Sequence, residues 1–90
     1  MNLKDVEEES EYPVILWRAV DGYEAASALI SDTVAYYLLK DREVVGRVEV
    51  GSGGFACYVG SSLRVGKYVG HRESLTASYE HIVSRLLTTN

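Results

Sequence analysis

The chain is poor in the residues that staple, kink or anchor a fold: one cysteine, one proline, one methionine and one phenylalanine in 90 residues. A lone Cys57 excludes an internal disulfide. No stretch approaches the roughly 18 continuous apolar residues of a membrane-spanning helix. The opening MNLKDVEEES lacks the apolar core of a secretory signal. These absences lead to the expectation of a soluble, cytoplasmic protein. Chemistry-bearing motifs are equally sparse. His71 and His81 have no cysteine or acidic partner at metal-ligand spacing. No serine stands in a nucleophile-elbow pattern. Gly51-Ser52-Gly53-Gly54 shares only glycine content with a phosphate-binding loop, because no Lys-Ser/Thr follows and no helix opens there. The expectation is a non-enzymatic protein with no cofactor and no metal.

Charge is present but unevenly placed. The net charge is −4, and all of it comes from residues 1–11, where Lys4 faces Asp5, Glu7, Glu8, Glu9 and Glu11. Residues 12–90 are neutral overall. A flexible acidic N-terminus at 1–11 and a single compact domain at 12–90 are expected. Seven tyrosines against one phenylalanine is an unusual ratio. Tyrosine suits surfaces that are half buried or that meet a partner.

The stretch Thr33–Val59 carries the strongest structural pattern. Thr33–Lys40 and Glu43–Val50 are rich in β-branched and aromatic residues and flank Asp41-Arg42. A two-residue loop there pairs Lys40 with Glu43, Leu39 with Val44, Tyr37 with Gly46 and Tyr36 with Arg47. Gly51–Gly54 then turns the chain so that Val50 meets Phe55, Val48 meets Cys57 and Arg47 meets Tyr58. Strict alternation places Ala35, Tyr37, Leu39, Val44, Val48, Val50, Phe55, Cys57 and Val59 on one core face.

The flanks read as cover for this meander. Pro13–Val20 is a short apolar run and reads as a strand. Asp21 with Glu24 has the form of a capping box opening a short helix from Gly22 to about Ser31, with Tyr23, Ala26 and Ile30 as its stripe. Leu63–Val69 reads as a further strand, pairing Val59 with Leu63 and Tyr58 with Arg64. Leu75, Tyr79, Ile82 and Leu86 form one helical stripe within Glu73–Leu87. The fold class expected is α+β: a four- to five-stranded, mainly antiparallel β-meander with a short N-terminal helix and a C-terminal helix packed on the sheet. This helix–three strands–helix order resembles the topology of double-stranded-RNA-binding domains. The lysine cluster at the start of that family's last helix has no counterpart in Gly70-His71-Arg72-Glu73-Ser74, so the resemblance assigns no residues.

The same registers predict a row of Tyr36, Arg47, Tyr58 and Arg64 across the second face. Lys67 and Arg72 extend it along a segment free of acids. Tyrosine and arginine are enriched at interface hot spots. A nucleic-acid binder normally carries a net basic surface, and this chain does not. The function expected is therefore a small protein-binding module, an inhibitor or adaptor of the kind phage and mobile elements encode. The alternative is a nucleic-acid-binding module using the Tyr/Arg row. A homodimer, through the edge strand or the tyrosine face, is compatible with the protein-binding reading.

Overall fold

Tight turns divide the described chain, residues 1–88 of a computed structural model, at Asp21-Gly22, Ser31-Asp32, Asp41-Arg42 and Ser52-Gly53. Between them run β1 (Ile15–Val20), β2 (Tyr23–Ile30), β3 (Thr33–Lys40), β4 (Glu43–Gly51) and β5 (Gly54–Val59), followed by β6 (Lys67–Arg72). Every strand pairs antiparallel with its neighbour in sequence, giving one six-stranded sheet in the order β1-β2-β3-β4-β5-β6. Two helices flank it: α1 (Leu3–Glu9) and α2 (Leu75–Leu87). The fold is α+β, an antiparallel meander with helices at its N- and C-terminal ends.

Two-residue hairpin turns need left-handed backbone, because that twist matches the strands they join. Ser31, Asp32, Asp41 and Arg42 all adopt it, with φ between 51° and 68°. The sheet is larger than expected because the segment 22–31 is a strand and not a helix. Asp21-Gly22 is a hairpin turn, with Gly22 at φ 82°, and Glu24 faces Arg18 across the ladder instead of capping a helix. The alanines that favour a helix are here a packing device. Ala25 and Ala26 point to opposite faces of the sheet, and both are fully buried. Tertiary packing overrides helix propensity at this strand. The helix–three strands–helix order that resembles an RNA-binding domain is therefore not the order of this chain.

The N-terminal helix lies earlier, inside the segment expected to be flexible. Asn2 caps α1 by accepting from the Asp5 amide while the Asp5 carboxylate accepts from the Asn2 amide. The amide of Leu3 also donates to the Arg42 carbonyl, and that of Val44 to the Met1 carbonyl. Leu3 and Val6 project from α1 into a core with Ala26, Ala28, Tyr37, Leu39, Val44 and Leu63. The acidic residues occupy its outer side.

On the other face α2 covers a second core of Tyr23, Ala25, Leu38, Val48, Cys57, Tyr79 and Ile82. Ser74 caps this helix. The predicted stripe points inward, with Tyr79 and Ile82 almost wholly buried. Burying a side chain of Ile82's size contributes about 1.5–3 kcal/mol. Gly46 allows the approach: a Cβ there would lie 2.7 Å from Ile82 Cγ2 and 3.0 Å from the Tyr58 carbonyl oxygen.

The two cores meet through a β-bulge in β4. Lys40↔Glu43 and Leu39↔Val44 pair as expected, but Leu38 then faces Gly46, Tyr37 faces Arg47 and Tyr36 faces Val48. Val45 is the extra residue. The expected single core face is thus split. Ala35, Tyr37, Leu39 and Val44 belong with α1, whereas Val48, Phe55, Cys57 and Val59 belong with α2. The β4–β5 register is as expected, with Arg47 opposite Tyr58 and Val48 opposite Cys57. The last strand begins later than expected. Val59 pairs with Lys67 and Tyr58 with Tyr68. Leu63 leaves the sheet to fill the α1 core, and the Ser62 hydroxyl accepts from the Arg64 and Val65 amides to hold that loop.

Candidate functional site

The two helices do not cover the sheet equally. The face carrying Val48 and Cys57 lies under α2, which packs on β1, β4, β5 and β6, whereas α1 packs chiefly on β2. On the α1 side the β4–β6 half of the sheet therefore has no helix above it. That open half carries the candidate site.

Arg47 and Tyr58 are opposite one another on β4 and β5, as the sequence predicts, and the guanidinium lies 4.6 Å from the ring centroid. Such a cation–π contact strengthens when desolvated, and Arg47 is only 7% exposed. Its Nη1 donates to the Leu63 carbonyl at 3.4 Å, and its Nη2 pairs with Glu49 at 3.0 Å. Its Nε is buried without a hydrogen-bond partner. Arg64 approaches from the 60–66 loop and pairs with Glu9 at 3.2 Å. That hydrogen bond, and then the charge of Glu9, hold its guanidinium pKa above the usual value.

The other three predicted residues lie elsewhere. Tyr36 is on the α2 face, because the bulge pairs it with Val48 and not Arg47. It packs edge-on against Trp17 at 6.4 Å. Lys67 is exposed at the start of β6 and pairs with Val59. Arg72 faces α2, where its Nη2 donates to His81 Nδ1 at 2.8 Å. His81 Nε2 in turn donates to the Val69 carbonyl at 2.7 Å. These two bonds fasten β6 to the helix. The predicted Tyr36–Arg47–Tyr58–Arg64 row is therefore not formed.

A different row takes its place. Tyr58 meets Tyr68 edge-on at 5.7 Å between ring centroids, and Tyr68 meets His71 at 5.3 Å. The Tyr68 hydroxyl is hydrogen-bonded to His71 Nδ1. Arg47, Tyr58, Tyr68 and His71 thus run in contact from the middle of the sheet to its β6 edge. Tyr68 is 51% exposed. Tyr37 stands where Tyr36 was expected, and its hydroxyl donates to the Leu63 carbonyl at 2.8 Å. Burial pushes its phenol pKa up, against the lowering effect of Arg47 and Arg64. Sequence reasoning missed Tyr37, Tyr68 and His71. The available signal was the unbroken apolar run Ala35–Leu39, which marks a strand covered on both faces and defeats an assignment by alternation.

The face offers ring edges, a fixed guanidinium and a second, exposed one. Among the described residues no group of three or more His, Cys, Asp or Glu side chains is placed to hold a metal ion, and no helix is long and apolar enough to cross a membrane. No protein-family model, curated protein or solved structure matches this chain.

Proposed function

We propose that the protein is a small binding module that docks on an acidic patch of a partner protein, as an inhibitor or adaptor, through the open half of its sheet. The observation that carries this reading is the contiguous ladder Arg47–Tyr58–Tyr68–His71, uncovered by either helix and ending in a half-exposed tyrosine. Tyrosine and arginine packed in this way are the side chains that dominate interface energetics. The rings are held in place by one another, so little side-chain entropy is lost on docking. Charge indicates the partner. The rim of this face carries Arg64 and Lys67, the segment 63–72 holds no acid, and the one acid that reaches the rim is Glu9 of α1, paired with Arg64.

Stacked rings and arginines on an open sheet also suit single-stranded nucleic acid, and this is the second reading. It is disfavoured because the chain as a whole is at −4.

The test uses the full chain. Proteins it captures are identified, purified and titrated against wild type, Tyr68→Ala and Arg64→Glu. Both variants are expected to weaken binding at least about tenfold, the size of a modest hot spot. Arg64→Glu should act mainly on the association rate. Reversing an acid on the partner should restore it. Unchanged affinity for Tyr68→Ala excludes this face as the docking surface. Oligonucleotide binding that falls steeply with salt, with no protein partner affected by either variant, supports the second reading.

A further inference from the structure

Beside the ring ladder the sheet is hollowed by a cavity of about 290 Å³ between β3, β4 and the 60–66 loop. Ile30, Val34, Ala35, Tyr37 and Leu63 supply its apolar lining, and Arg47, Arg64 and Glu49 its charged lining. We infer that this cavity binds a small apolar carboxylate, its hydrocarbon part on Tyr37 and Leu63 and its anionic head between Arg47 and Arg64.

Three observations converge on this ligand class. First, Arg47 is almost entirely buried, yet its acid partner Glu49 is half exposed, with side-chain exposures of 8% and 49%. A guanidinium has five N–H donors; this one hydrogen-bonds only Leu63 and Glu49 and stacks on Tyr58, and its Nε has no hydrogen-bond partner. Glu49 compensates this buried charge from a half-exposed position, which leaves donors for a second anion. Second, Arg64 lines the same cavity and is held only by Glu9, on an exposed pair. Exposed pairs exchange readily, so the Arg64 head is free to turn to a better-placed anion. Third, the cavity is too small for a nucleotide or a folded element but lies at the lower end of small-ligand pocket sizes. A carboxylate presented to two arginines gains charge-assisted hydrogen bonds that a neutral ligand does not. Glu9 and Glu49 are the competitors that such a ligand displaces or joins.

The carboxylate could come from a free short-chain acid or from the C-terminus of a polypeptide; the chemistry at the arginines is the same. This site shares Arg47 and Arg64 with the docking face but does not use Tyr68 or His71, so Tyr68→Ala tests the docking reading alone.

The experiment titrates the isotopically labelled chain with hexanoate, with hexanol, and with a tetrapeptide ending in leucine whose C-terminus is free or amidated, following backbone amide shifts. Hexanoate or the free peptide is expected to bind with Kd on the order of 1 mM or tighter, moving the amides of Ala35, Tyr37, Leu63 and Arg64. Arg64→Ala, a change at an exposed side chain, is expected to weaken that binding about tenfold, and Glu9→Gln to tighten it a few-fold. Binding of hexanoate alone identifies a free acid, and of the free peptide alone a chain end. Hexanol or the amidated peptide binding as well as the acids overturns the inference. So does the absence of localised shifts with either acid, or an affinity unaffected by Arg64→Ala in a variant that keeps the wild-type spectrum.

Discussion

Among the described residues two buried side-chain polar atoms have no hydrogen-bond partner, Arg47 Nε and the Tyr79 hydroxyl. They differ in what surrounds them. Arg47 is polar on several sides and lines a cavity, so its orphaned group fits a binding role. Tyr79 sits in the α2 core against Trp17, at 6.4 Å between rings, and Ile82 shares its stripe. Its hydroxyl is lodged among apolar groups, and burial drives its pKa strongly upward. An unsatisfied buried hydroxyl costs about 1–3 kcal/mol. Tyr79→Phe removes that cost and keeps the ring. It is expected to raise stability by about 1 kcal/mol, seen as a higher midpoint in chemical denaturation with an unchanged slope. A lower midpoint would mean that the hydroxyl has a partner in solution.

At the scale of elements, the hairpin turns carry the most information. Turn pairs at 21–22, 31–32 and 41–42 are separated by strands of eight residues, β2 and β3, and the ruler lengthens at β4, which has nine. The Asp41-Arg42 turn was legible, and so was the register next to it. Arg42 is an ill-suited occupant, since it adopts φ 68° where glycine carries no side-chain penalty. Arg42→Gly leaves the carbonyl that receives the Leu3 amide in place. It is expected to add up to about 1 kcal/mol of stability, measurable by the same denaturation. The strand at 22–31 was not legible by the same means. Its alanines and its Asp21/Glu24 spacing satisfy the local rules for a helix, and only the two cores pressing on either side make small residues the right ones for a strand. The α2 stripe was legible because one face of a helix needs one neighbour. The site was half legible for a related reason. Arg47 opposite Tyr58 depends on a single hairpin, whereas placing Tyr36 and Arg64 requires knowledge of a bulge and of where β6 begins.

At the scale of the whole molecule, Tyr37, Cys57 and Tyr79, which ionise at alkaline pH, are buried in their neutral forms. Burial raises Tyr79 and Tyr37 above the ordinary 10.0 and Cys57 above the ordinary 9.0. The folded chain therefore holds protons that the unfolded chain releases at high pH. Their contribution to stability is complete below about pH 9 and declines as pH rises past the unfolded values. The midpoint of unfolding is expected to fall steadily between about pH 9 and pH 11, and to fall less in Tyr79→Phe. A flat profile would place these side chains in contact with water. The two cores that bury these groups lie on opposite faces of the sheet. Val45 shifts the phase of the in–out alternation along β4, so Val44 and Arg47, three residues apart, share the α1 face. Glycine follows it at the point where α2 comes closest. The bulge sends Arg47, and with it Tyr58, out on the side that α2 does not cover. Were Val45 paired with Leu38 and the bulge ironed out, Tyr36, and not Tyr37, would stand beside Arg47, and Tyr37 would leave the cavity it helps to line.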